Sequence, residues 1–77
     1  MKLMNVLLFG MIAEKAGATE LSVEASSLAH LRLELEQRIA GLERMSYAIA
    51  VDRRITRGDV KLTGKEEIAV LPPFAGG

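Results

Sequence analysis

The residues Pro72-Pro73-Phe74-Ala75-Gly76-Gly77 combine two features that bear on chemistry. Adjacent prolines lack backbone N–H groups and have a restricted φ, so they join neither a helix nor a strand ladder and favour a stiff, extended segment. The two glycines that follow carry no side chain. Such a tip can thread a channel too narrow for any Cβ and present a carboxylate at Gly77 to another protein's reactive centre. A carboxylate is inert until activated. Adenylation by ATP makes it an acyl–AMP anhydride, and a sulfur donor that displaces AMP leaves a thiocarboxylate. By analogy with thiolate over thiol, that anionic, soft group is a far better nucleophile than the carboxylate it replaces. The chain contains no cysteine, which excludes a disulfide framework, a thiolate zinc site and a cysteine nucleophile. Two glycines alone are a weak signal, because frayed ends are commonly small and polar.

Other residues with chemical potential are fewer. His30 lies nearly opposite the apolar stripe of its helix, with no cysteine or second histidine to complete a site, and is expected to be solvated. Arg53, Arg54 and Arg57 form a local basic cluster. It reads either as exposed hairpin arginines or as the rim of a surface that meets an acidic partner or a phosphate group. Glu66 and Glu67 are adjacent, so alternation sends them to opposite faces and they cannot share a proton. Met4, Met11 and Met45 read as gap fillers in the core, and Tyr47 as a packing residue with its hydroxyl at the edge.

The elements that must position the tail fit one small domain, since the chain has 77 residues and 49% are apolar. Ten Lys and Arg balance ten Asp and Glu, so net charge gives no grip on nucleic acid or on an anionic membrane. The longest apolar run, Val6 to Ala13, is too short to span a bilayer. Met1 to Asn5 lead directly into a strand pattern without signal-peptide features, so a cytoplasmic location is expected.

Residues 3–9 read as a strand, and residues 11–16 as a short helix closed by Gly17. Residues 19–24 alternate as a second, half-exposed strand. Ser26 and Ser27 offer N-cap oxygens ahead of Leu28, Leu31, Leu35, Ile39 and Leu42, a helical stripe ending near Gly41. On its far side Glu34 with Arg38, and Arg32 with Glu36, stand at i,i+4. Tyr47 to Val51 reads as a strand with a partner beginning at Ile55, and a polar stretch from Thr56 to Lys65 leads to a last strand, Glu67 to Leu71. One main helix covers one sheet face, so the fold class is α+β. No repeat or linker divides the chain: residues 1–71 form the domain and residues 72–77 its tail.

If Met4, Val6 and Leu8 face the helix, the period of two turns Leu7 and Phe9 the other way, with Ala69 and Leu71 beside them. Large apolar groups on an open face of so small a domain mark a partner surface. The alternative is that the Thr56–Lys65 loop folds over them.

With a Gly-Gly tail after an α+β domain of this size, the sequence resembles the MoaD/ThiS family of ubiquitin-like (β-grasp) sulfur carriers, most closely its molybdopterin-synthase branch. The resemblance covers nearly the whole chain. It rests on Val6-Leu7-Leu8-Phe9, on residues 11–17, on Ala50-Val51-Asp52, on Asp59 with Leu62, and above all on residues 67–77 with their Pro-Pro and Gly-Gly pairs. Asp52 stands where the family often has Asn, Lys65-Glu66 replaces the more usual Gly-Asp, and Phe74 replaces a smaller β-branched residue. The resemblance implies a mixed sheet of about five strands. It also implies a thiocarboxylate on Gly77, Gly76 threading with it, and Leu7, Phe9, Leu71, Pro72, Pro73, Phe74 and Ala75 meeting the partner. That partner is implied to be a large catalytic subunit of molybdopterin synthase, in a heterotetramer, which holds the pocket where sulfur reaches a pterin precursor. A ubiquitin-activating-type adenylyltransferase using ATP and a sulfur donor protein complete the implied set, with no cofactor bound by this chain. Thiazole or amino-acid sulfur transfer, a ubiquitin-like modifier, and a pure interaction module are the competing expectations.

Overall fold

Alternation of apolar residues decides how this chain layers. The computed structural model describes residues 2–72. In it Met4, Val6 and Leu8 of strand β1 (Lys2–Leu8) are at most 3% exposed, while Leu3 on the opposite face is 64% exposed. The chain continues through α1 (Gly10–Ala16), β2 (Glu20–Ala25), α2 (Leu28–Arg38), a 3-10 turn (Leu42–Arg44), β3 (Ala48–Val51), β4 (Arg54–Ile55) and β5 (Ile68–Leu71).

The strands form one mixed sheet in the order β2-β1-β5-β3-β4. β1 and β5 run parallel, pairing Val6 with Ile68 and Leu8 with Val70, and every other pair is antiparallel. One sheet face is covered by α2. Leu28, Leu31, Leu35, Ile39 and Leu42 are all fully buried against Val6, Val23, Ile49, Ile68 and Val70. Each such side chain contributes about 1.5–3 kcal/mol relative to exposure, so this layer holds the domain together. The expected architecture of five strands and one main helix is the one observed.

The helix ends earlier than its stripe. Regular α2 stops at Arg38, Ile39 is its extended C-cap, and Leu42 reaches the core from the 3-10 turn, which Gly41 enters at φ +85°. At its start, the Ser27 hydroxyl oxygen accepts from His30 N–H at 3.2 Å, as the sequence suggests. The Thr56–Lys65 loop supplies the remaining caps: Val60 C=O accepts from Leu28 N–H at 2.8 Å and Asp59 Oδ1 from Ala29 N–H at 2.9 Å. Leu62 of the same loop is buried in the core, and Lys61 bridges to Ser27. Residues 59–62 of the loop are therefore spent on the helix side, while Gly64 lines a shallow cavity with Leu3, Asn5 and Leu7 and borders part of the opposite face.

Several local expectations are corrected. Phe9 does not extend the first strand. It is the N-cap of α1, its carbonyl accepting from Ile12 and Ala13 N–H, and Gly10 at φ +55° turns the chain away. Met11 is 53% exposed rather than a core gap filler, because that turn puts Ile12 inward instead. Neither Glu34–Arg38 nor Arg32–Glu36 forms an ion pair, since Arg38, Arg32 and Glu36 find tertiary partners and Glu34 lies nearest His30 on the same helix. Arg38 donates to Ser22 C=O on the sheet edge at 2.9 Å, and Arg32 lies 5.6 Å over the Tyr47 ring. Tyr47 O–H donates to Glu36 at 2.7 Å. His30 is only partly exposed, with Nε2 3.8 Å from Glu34. Among the described residues, no helix is long and apolar enough to cross a membrane.

Candidate functional site

The uncovered sheet face and the root of the tail form one continuous surface. Register places Leu7 beside Ala69, Ala69 beside Ala50, and Ala50 beside Ile55, an apolar row that crosses β1, β5, β3 and β4. A second row begins with Leu71 beside Ala48, one step from Pro72. Because the middle positions are alanines, the floor is shallow, and larger side chains stand at its sides: Leu7 half-buried, Ile55 51% exposed. Leu7 and Leu71 are thus on the face expected of them. Phe9 is 46% exposed. Although outside the strand, it lines with Leu7, Gly10 and Glu20 a cleft of about 400 Å³ beside the sheet. The sequence reading missed Ala48 and Ala50 because small residues carry little hydrophobic signal. It missed Ile55 in this role because a two-residue strand has no periodicity to place it.

Pro72 sits against Gly10: a Cβ built on Gly10 would stand 3.1 Å from the proline Cγ. The expectations for Pro73, Phe74, Ala75, Gly76 and Gly77 lie outside the described residues.

The rim of this surface is charged in two halves. Glu20, Ser22 and Glu24 of β2 border one side, sharing the open face with Leu7, Asn5 and Leu3. On the other side the structure divides the arginine cluster. Arg53 reaches Glu67 at 3.6 Å with both groups exposed, a pair of small worth in water. Arg57 instead joins Arg32, Tyr47, Ala48, Ile49 and Ile55 around a cavity of about 410 Å³. Burial, reinforced by the hydrogen bond to Glu36, pushes the Tyr47 hydroxyl up to about 12, so it remains a donor at neutral pH.

Two carboxylates hold the turns that aim β5. Asp52 and Arg53 both take positive φ, 52° and 69°, and form the two-residue β3–β4 turn. Asp52 Oδ1 accepts from Glu67 N–H at 2.9 Å, and Asp52 N–H donates to Glu67 C=O at 2.8 Å. The acid here ties the hairpin to the strand that leads into the tail. Glu66 accepts from Thr63 N–H at 2.9 Å and from Gly64 N–H at 3.0 Å. These amides, Thr63 first, hold its carboxyl below the usual carboxylate range. The Glu66 and Glu67 carboxylates take different partners, Glu66 the Thr63 and Gly64 amides and Glu67 the Arg53 side chain, although both line one cavity beside Leu7. Among the described residues, no three His, Cys, Asp or Glu side chains gather closely enough to hold a metal ion.

The arrangement presents an apolar sheet face beside Leu71 and Pro72. Comparison with known proteins places it. The family model described as "ThiS family" matches residues 6–77. Among curated proteins, none is similar in sequence. Solved structures align over nearly all of the chain. A protein from Pyrococcus furiosus, provisionally named molybdopterin converting factor subunit 1, is 21% identical with a TM-score of 0.86, covering 96% of this chain and 100% of that one. The small archaeal modifier protein 1 of Methanosarcina acetivorans is 25% identical with a TM-score of 0.79, covering 100% and 98%. In a Helicobacter pylori complex of molybdopterin-converting factor subunits 1 and 2, the matching chain is 27% identical with a TM-score of 0.70, covering 97% and 99%. With a family match across almost its whole length and the ubiquitin-like β-grasp sheet that these structures share, the chain belongs to the ThiS family of MoaD/ThiS-type sulfur carriers.

Proposed function

We propose that this chain is the small, sulfur-carrying subunit of molybdopterin synthase. The observation that carries the reading is the open apolar row Leu7–Ala69–Ala50–Ile55, which lies beside Leu71 and leads into Pro72, the root of the Gly-Gly end. Its likeness to a chain of the Helicobacter pylori complex of molybdopterin-converting factor subunits 1 and 2 supports it. In this reading an adenylating enzyme joins the Gly77 carboxylate oxygen to the α-phosphorus of ATP and releases pyrophosphate. Sulfide-level sulfur released by a donor protein then attacks the acyl carbon and expels AMP, forming the C–S bond of the thiocarboxylate as the C–O bond to AMP breaks. Leu7, Leu71 and Ile55 dock on the large subunit, whose pocket receives Gly76-Gly77. Sulfur passes to the pterin precursor there, and the carboxylate that returns is recharged.

Intact-mass analysis of untagged protein co-expressed with its activating enzyme tests this directly. The expected result is exchange of one oxygen for sulfur at Gly77, with the molybdopterin-synthase large subunit co-purifying; unchanged carboxylate sinks the proposal. Adding one alanine after Gly77 should abolish cofactor formation. Likeness to the small archaeal modifier protein 1 of Methanosarcina acetivorans favours a second reading, a ubiquitin-like modifier joined through Gly77 to lysines. Isopeptide-linked conjugates after affinity capture would establish that use instead.

A further inference from the structure

The parallel pairing of β1 with β5 runs Val6 beside Ile68, Leu7 beside Ala69 and Leu8 beside Val70. Continued by two residues, the same register brings position 10 to position 72. Both strands stop there. Gly10 takes φ +55° and starts α1, and the Pro72 ring occupies the space that a side chain at position 10 would need. A Cβ on Gly10 would lie 3.1 Å from Pro72 Cγ, 3.8 Å from Cβ and 3.9 Å from Cδ. The ring is thus packed on a bare α-carbon. Pro72 has no N–H with which to extend the ladder, so this contact, rather than a backbone hydrogen bond, sets the direction in which the chain leaves the sheet.

We propose that Gly10 is the positioning residue for the carrier's C-terminal segment, its missing side chain letting the Pro72 ring seat at one angle against the start of α1. The proposal rests on the reading of Gly77 as the sulfur-bearing end. Five residues follow Pro72, a length that spans at most ~17 Å, so a tilt of about 4° at the root moves the end by ~1 Å. A misplacement of that size costs an enzyme far more than the loss of a surface contact.

Gly10→Ala and Gly17→Ala, made in the full chain, separate the contact from the backbone. Gly17 also has a positive φ, +73°, but nothing lies within 4 Å of its hypothetical Cβ. Both variants should lose comparable thermal stability, since both force alanine into the left-handed region. Only Gly10→Ala should shift the NMR resonances of Pro72 and the amides beyond it. Only Gly10→Ala should lower kcat for thiocarboxylate formation by the activating enzyme, by about tenfold, with a smaller change in KM because Leu7, Ala69, Ala50 and Ile55 are unaltered. Adding Pro72→Ala removes the ring from under the new methyl group, so the double variant should be no slower than Pro72→Ala alone. Matching shifts and kcat in Gly10→Ala and Gly17→Ala, or additive losses in the double variant, overturn the proposal. If Gly10→Ala does not fold, Pro72→Ala alone should shift the Gly10 resonances and lower kcat, and no change in either overturns it. Wild type that never gains sulfur instead removes the functional reading, while the resonance comparison still decides whether Gly10 orients Pro72.

Discussion

The two faces of β1 and β5 differ although they are made from the same residues taken alternately. On the covered face, Val6, Leu8, Ile68 and Val70 are branched and 0–3% exposed. On the open face, Leu7, Ala69 and Leu71 are only half-buried, and of the alanines at the centre of the row Ala50 alone is buried, at 7% exposure. One face carries stability, and the other is the surface proposed for association. Because a strand's side-chain period is two, substitutions can move one property with little effect on the other.

The largest test of that separation is Leu35→Ala, which removes a fully buried side chain of α2. It should cost about 2–5 kcal/mol in urea unfolding, and a loss under ~1 kcal/mol would mean that the helix layer is not the main source of stability. Leu7→Asp probes the other face. Unfolding free energy should fall by no more than ~1 kcal/mol, while affinity for the large subunit, read by calorimetry, should fall by about 2 kcal/mol or more if Leu7 is an interface anchor. Binding unchanged by Leu7→Asp would break the comparison. The smallest effect is at Glu66, whose folded carboxyl is held below the ordinary range by the Thr63 and Gly64 amides. A depressed value means stabilisation that is present above the ordinary carboxylate range and lost as pH falls through the folded value. Glu66→Gln should therefore lower stability slightly at neutral pH and flatten the acid side of the profile measured by urea melts. An unchanged acid slope would show that the clamp is not maintained in solution.

Much of this design is legible in the chain itself. The alternation of Met4, Val6 and Leu8, the stripe from Leu28 to Leu42, the Ser27 cap and the pairing of Ile68 with Val70 as core residues all follow from short-range periodicity. What escapes is settled by tertiary partners or by where an element stops. Nothing local says that Arg38 abandons Glu34 for the Ser22 carbonyl, or that Arg32 lies over Tyr47 while Glu36 accepts a hydrogen bond from its hydroxyl. The β3–β4 turn lacks the Asn-Gly signature, so the left-handed pair Asp52-Arg53 becomes plain only when Asp52 is seen bonded to Glu67. Phe9 continues the apolar pattern of the strand, and only the positive φ of Gly10 shows that the strand has already ended.

The position of β5 also bears on synthesis. It lies between β1 and β3 in the middle of the sheet, although it follows every other described strand in the chain. Contacts between distant parts of a chain form late, so the nascent polypeptide cannot close its sheet until residues 68–71 have emerged. A product truncated before that point would lack its central strand and remain an unfolded target for proteases. Because the central strand of the sheet directly precedes the tail, losing residues 68–71 costs the fold as well as the segment that follows it.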